Sequence, residues 1–136
     1  MKPMVVVLCA VLWFVGVVVA QESDWLSGTW KGVRKPDPSN VPGSDTILRL
    51  HYNPATKAVT GEGDASNRRI ANSNFTETVL EGSFFDGDKG VLILKQTGGI
   101  TDGAVRKYVM ERKRDGSLYG YTDDQKMRFI INLKKQ

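Results

Sequence analysis

The chain has 136 residues and a formal net charge of +4. Once an N-terminal leader is set aside, it is long enough for one hydrophobic core and too short for two, and its interspersed charges serve solubility without naming a partner. The only cysteine, Cys9, lies in the leader, which excludes a disulfide scaffold, a thiolate zinc site and thiol chemistry in the remainder.

Lys2 precedes an apolar run from Met4 to Ala20, and Gln21-Glu22-Ser23-Asp24 then breaks the polarity abruptly after Val18-Val19-Ala20. This is a signal-peptide profile with cleavage after Ala20, giving a leader over 1–20 and one domain over 21–136. The alternative is an uncleaved anchor, since roughly 17 apolar residues reach the lower edge of a bilayer span. The expected mature protein is secreted and extracellular, with no membrane association after cleavage. Losing Lys2 lowers the formal charge of +4 by one.

From Trp25 onward no stretch keeps a 3.6-residue apolar period, whereas turn signals recur between short β-prone runs. The first run is Gly28 to Arg34, ended by the proline-rich segment Lys35 to Gly43. Thr46 to Tyr52 alternates Leu48, Leu50 and Tyr52 with Ile47, Arg49 and His51. Ala58 to Asp64 follows the Asn53-Pro54-Ala55-Thr56-Lys57 turn, and a polar loop extends from Ala65 to about Ser73. Asn74-Phe75-Thr76 is an N-glycosylation sequon that makes Asn74 a candidate glycan site. One strand is expected over Phe75–Phe85, closed by Asp86-Gly87-Asp88-Lys89-Gly90. The remaining runs are Val91 to Thr97, Val105 to Arg114, Ser117 to Thr122 and Met127 to Lys134.

Eight short strands with hairpin connections predict an all-β fold, an antiparallel up-and-down barrel, because closure removes the exposed edges and the uncovered apolar face of an open sheet. A β-sandwich is the alternative. The inward set is expected to be Trp30, Leu48, Leu50, Tyr52, Val59, Leu80, Phe84, Leu92, Leu94, Tyr108, Met110, Leu118, Phe129 and Ile131. Gly61, Gly63, Gly82 and Gly120 add no side-chain volume, so an internal cavity is expected as well.

Leu26-Ser27-Gly28-Thr29-Trp30 resembles the Gly-x-Trp signature of the calycin group, the lipocalins, avidins and their relatives. Gly43-Ser44 and Thr60-Gly61 are similar to the avidin pattern. The resemblance implies an eight-stranded barrel closed at one end by Trp30, with a basic residue from a late strand, Arg128, packed over the indole. It implies no ligand, since the later tryptophans of an avidin and the mid-chain Thr-Asp-Tyr motif of a lipocalin are absent.

Among residues with chemical potential, His51 is the sole histidine and reads as an exposed strand residue, not a general base. Asp86 and Asp88 imitate part of a calcium loop but lack its remaining ligands, and turn formation accounts for them. Glu77 and Glu81 read as solvated surface. No metal or cofactor site, nucleic-acid module or catalytic constellation emerges, so the expectation is a binding protein and not an enzyme. The first functional reading is a secreted barrel binding a small apolar or amphipathic molecule through Leu48, Leu50, Tyr52, Phe84, Tyr108 and Met110, with the two tyrosines as polar handles. The second is a matrix, adhesion or inhibitor component acting through its surface. Its candidate contact is a polyanion at Arg112, Lys113 and Arg114.

Overall fold

The computed structural model describes residues 23–37, 43–67, 73–99 and 102–136. The expected leader over 1–20, the expected new N-terminus at Gln21, most of the proline-rich segment and the centre of the polar loop lie outside the described residues.

The described residues form nine strands: β1 Gly28–Asp37, β2 Ser44–Tyr52, β3 Val59–Asn67, β4 Asn74–Val79, β5 Phe84–Asp86, β6 Lys89–Thr97, β7 Val105–Arg112, β8 Leu118–Asp124 and β9 Met127–Lys135. All pairings are antiparallel. Sequence neighbours pair from β1 to β4, β4 pairs with β6, neighbours pair again to β9, and β9 returns to β1. The result is a closed eight-stranded up-and-down barrel with β5 as an extra short strand on β6. Among the described residues there is no helix to cover the sheet, and closure leaves no long unpaired edge there.

The expected single strand from Phe75 to Phe85 is broken between β4 and β5. Gly82 adopts φ 96°, a left-handed conformation that glycine takes without a Cβ clash. In the interruption the Ser83 hydroxyl accepts from the Ile93 amide at 2.9 Å, and the Leu80 amide donates to the Ile93 carbonyl at 2.8 Å, so the ladder to β6 is kept by a side chain where the backbone bulges. The expected inward face of this segment is inverted. Glu77, Val79 and Phe85 point inward and are buried, whereas Leu80 is half-buried and Phe84 is 47% exposed. A one-residue change of parity exchanges the two faces of a strand.

β1 also runs further than the prolines suggested. Beyond Arg34 it is paired only with β9, and Pro36 sits opposite Phe129 there. A strand with one open side tolerates a residue that lacks an N–H.

The core divides along the barrel axis. One half is apolar and filled by Trp30, Leu48, Leu50, Tyr52, Val59, Phe85, Leu92, Leu94, Met110, Leu118, Ile131 and Leu133, all buried. Phe129, assigned to the interior from sequence, is half-buried toward the other end. Each fully buried aliphatic side chain here contributes about 1.5–3 kcal/mol. The segment before β1 stops this end. Leu26 is fully buried, its carbonyl accepts from the Trp30 indole N–H at 2.8 Å, and Trp25 stands edge-on to Trp30 and Phe85 with centroids 6.1 and 5.7 Å away. Ser27 ties the plug to the wall by accepting from the Tyr52 amide at 2.8 Å.

Trp30 therefore closes the barrel, but Arg128 does not cover it. β9 runs antiparallel to β1, which places Lys135 opposite Trp30 and Arg128 opposite Asp37 near the other end. Arg128 is exposed, bonds Asp123 at 2.8 and 3.2 Å and stacks on Tyr121 at 4.2 Å. The cation at the closed end is Arg112, 4.4 Å above the ring of Trp25.

Candidate functional site

The glycines expected to leave a cavity instead receive neighbouring atoms. A Cβ on Gly63 would lie 2.4 Å from Leu48 Cδ2, and one on Gly120 would lie 2.0 Å from Met110 Sδ. Gly61 admits the Arg49 carbonyl, which a Cβ there would meet at 2.1 Å. The absent side chains allow close approach of adjacent strands, and the volume is used by packing. Leu48, Leu50, Tyr52 and Met110, proposed from sequence as ligand contacts, are members of this packed cluster. The Tyr52 hydroxyl, expected as a polar handle, donates to the Phe85 carbonyl at 2.9 Å. Phe84 lies on the outer wall, which removes it from any interior site. Tyr108 alone of the six reaches the other half of the barrel.

That half is polar. Alternation along β1 carries the inward face from Trp30 through Gly32 to Arg34, and alternation on the other strands brings in Thr46, Glu77, Gln96, Tyr108 and Thr122, all buried. Arg34 and Glu77 form a bidentate ion pair, Nη1 to Oε1 at 2.6 Å and Nη2 to Oε2 at 2.9 Å. Gln96 stands beside Glu77 across the β4–β6 pairing. The Arg34 guanidinium also packs over the Tyr108 ring at 5.1 Å, so its flat face and its fork are both engaged. Arg106, two residues before Tyr108 on β7, reaches inward over the Phe129 ring at 5.5 Å and approaches Asp124 at 3.5 Å.

Burial is the largest influence on Arg34 and opposes its charge, but the hydrogen bonds to Glu77, together with the electrostatic attraction of Tyr108 and Glu77, more than offset it and lift the guanidinium pKa further above its ordinary value. Burial pushes the Tyr108 phenol above its ordinary range; Glu77 and Asp124 push it the same way by smaller amounts, and Arg34 and Arg106 pull it down. All four charged groups thus act on one phenol. Among the described residues, three buried side-chain polar atoms have no hydrogen-bond partner: Arg34 Nε, Arg106 Nε and Tyr108 Oη. Such groups are uncommon in native interiors because each keeps its desolvation cost uncompensated.

Other concave regions lie on the outside. A cleft of about 520 Å³ at the closed end is lined by Trp25, Trp30, Arg112, Ser117, Lys134 and Lys135. One of about 490 Å³ involves Ile47, Asp64, Ala65, Phe75, Thr76 and Thr97. A third, of about 220 Å³, lies by Val109, Tyr119 and Tyr121. Polar groups in the first two are bonded within the protein: Arg112 to Asp88 at 2.6 Å, Asp64 to Arg49 at 3.0 Å, and Thr76 to Thr97. The candidate polyanion contacts are engaged in the same way, Arg112 with Asp88 and Lys113 with Glu111 at 2.6 Å, while Arg114 is exposed. Asp86, the other half of the calcium-like pattern, is held by Lys57 at 2.6 Å. His51 is exposed on the outer face of β2, and Asn74 is exposed at the start of β4.

Sequence reasoning missed Arg34, Glu77, Gln96 and Thr122 as interior residues. Arg34 shares its parity with Trp30, which was the available signal; Glu77 was set aside because an isolated carboxylate reads as surface. Comparison with family models, curated proteins and solved structures gives no match for this chain.

Proposed function

We propose that this protein is a secreted, calycin-like barrel that binds a small amphipathic molecule at the polar half of its interior. The leader over 1–20 supports secretion, and Gly28-Thr29-Trp30 at the closed end supports the calycin likeness. The observation that carries the binding reading is the convergence of Arg34, Arg106 and Tyr108, each with a buried unpartnered polar atom, above a packed apolar floor. A protein without a ligand to serve gains nothing by keeping such groups buried, and an apolar replacement would be at least as stable. The interior at Leu48, Leu50 and Met110 then serves as the floor of the site and not as its pocket.

The test is to secrete the protein from a eukaryotic host, examine it by native mass spectrometry for a copurifying small molecule, and map that molecule by amide chemical shifts. Shifts centred on Gln96, Tyr108 and Thr122 are expected. A ligand that moves only signals around Trp25, Arg112 and Lys134 would reject the interior site.

A second reading, a protein acting through its surface, is favoured by one feature of the outer wall. Phe84, Val91, Val109, Tyr121 and Ile130 are successive register partners across β5 to β9, forming an apolar row along the barrel. Phe84 and Val109 in it are 47% and 45% exposed. Under this reading the row would meet a protein partner, and a polyanion would require Arg112 and Lys113 to exchange their acidic neighbours for it.

A further inference from the structure

We infer that the interior cluster is a seat for the carboxylate of a small monocarboxylic acid, held head-inward by Tyr108 and Arg106. This deepens the ligand-binding reading and rests on it. The argument begins with an imbalance of donors and acceptors. Glu77 accepts one bond from each Nη group of Arg34, whose Nε–H has no partner; Arg106 also has an unpartnered Nε–H, and Tyr108 an unpartnered hydroxyl. Guanidinium N–H groups only donate, and a phenol donates as readily as it accepts, so what the cluster lacks is acceptors. A ligand head rich in lone pairs meets that need where a hydroxyl or an amine would meet only part of it.

The charges narrow the head further. Arg34 is neutralised by two short bonds from a carboxylate as buried as itself, whereas Arg106 has one 3.5 Å approach to Asp124, whose side chain is 45% exposed. Arg106 is therefore the cation able to turn to an incoming anion. Arg34, Arg106, Glu77 and Asp124 sum to zero at neutral pH, so a monoanion adds one negative charge to the cluster. A phosphate dianion would add two beside Glu77, in a region where Tyr108 is 1% exposed, and charge at that depth is costly. A carboxylate also matches the fork geometry of a guanidinium.

Packing fixes the orientation. Leu48, Leu92, Leu94, Met110 and Ile131 fill the bore beyond Tyr108 and are almost fully buried, so no apolar tail can extend that way. The remainder of the acid has to lie toward the polar end, where Phe129 and Phe75 are half-buried. The proposed mode is head-in and tail-out.

The test titrates the mature protein calorimetrically with benzoate, benzamide and benzyl alcohol, which share a ring and differ in the head. Benzoate is expected to bind one-to-one and more tightly than either neutral analogue by about tenfold, the scale of one charge-assisted hydrogen bond. Tyr108→Phe and Arg106→Gln should each lose about tenfold, and Lys107→Gln, an exposed change on the same strand, should lose little. Tyr108→Phe should also melt no lower than the parent, which separates lost recognition from lost folding. Equal affinity for the three probes, or an equal loss in Lys107→Gln, would overturn the carboxylate assignment while leaving small-ligand binding in place. No binding of any probe, together with a copurifying ligand that maps outside the barrel, would remove both.

Discussion

Arg34 on β1 and Glu77 on β4 face each other inside the barrel through two parallel hydrogen bonds of 2.6 and 2.9 Å, and both residues are more than nine-tenths buried. A pair so far from water has two different energetic meanings. Losing one partner strands a buried charge, whereas losing both removes the desolvation cost along with the attraction. Arg34→Met or Glu77→Leu alone is expected to cost about 3–5 kcal/mol, and the two together to return close to the parent or exceed it by about 1–4 kcal/mol. Urea denaturation of the four proteins closes the cycle. A double variant as unstable as the sum of the singles would mean that the pair holds the fold together on its own account.

Tyr108 gives the pH dependence. Its folded pKa is raised by burial, so the folded state holds the phenolic proton more tightly than the unfolded chain does. The contribution is fully present below the unfolded value near 10 and is lost as pH rises toward the folded pKa. Stability should therefore fall above about pH 10. In tyrosinate absorbance Tyr108 should titrate above the ordinary tyrosine range. Tyr108→Phe should flatten the alkaline limb and, by removing an unpartnered hydroxyl, leave the protein as stable as the parent or about 1 kcal/mol more so at neutral pH. A destabilised Tyr108→Phe would mean that its hydroxyl is bonded in solution.

The closed end separates Trp30 from the residue expected to cover it. Trp30 is 1% exposed and bonds the Leu26 carbonyl, so Trp30→Ala should cost about 3–5 kcal/mol. Arg128 is exposed near the other end of the barrel, and Arg128→Ala should leave the melting temperature almost unchanged. Arg112→Ala is expected to act between them, because it loses the face of Trp25 as well as Asp88. Thermal melts of the three variants check the order.

These contrasts mark what a sequence of this kind reveals. Alternation in β2 and β9, together with the turn residues between strands, is local information, and it was enough for the barrel and for the place of Trp30. The interior of β4 was not readable in the same way. Glu77 flanks Val79 on one face, and only its partner 43 residues away explains why that face is buried. The rule that charges face water then selected the opposite parity and put Leu80 and Phe84 inside. The error over the glycines has the same origin: the strand containing a glycine does not say which neighbouring side chain fills the space beside it.

Gly120 provides the direct measurement of that last point. It lies on β8 between Met110 of β7 and Ile131 of β9, and a Cβ placed on it would fall 2.0 Å from Met110 Sδ and 2.7 Å from the Val109 carbonyl oxygen. If the glycine lined a void, Gly120→Ala would fill space and stabilise the protein. With the observed packing it must push both neighbours away, and overpacking of this kind costs about 1–3 kcal/mol. Met110→Ala alone should cost about 2–5 kcal/mol through the cavity it leaves. In the double variant the new methyl group occupies part of the space vacated by Met110, so its loss should be smaller than the sum of the single losses by about 0.5–3 kcal/mol. The Val109 carbonyl remains in the way, which keeps the double variant below the parent. Strict additivity by chemical denaturation would show that Gly120 and Met110 do not share this space, and the packed floor beneath Tyr108 would then have to be abandoned.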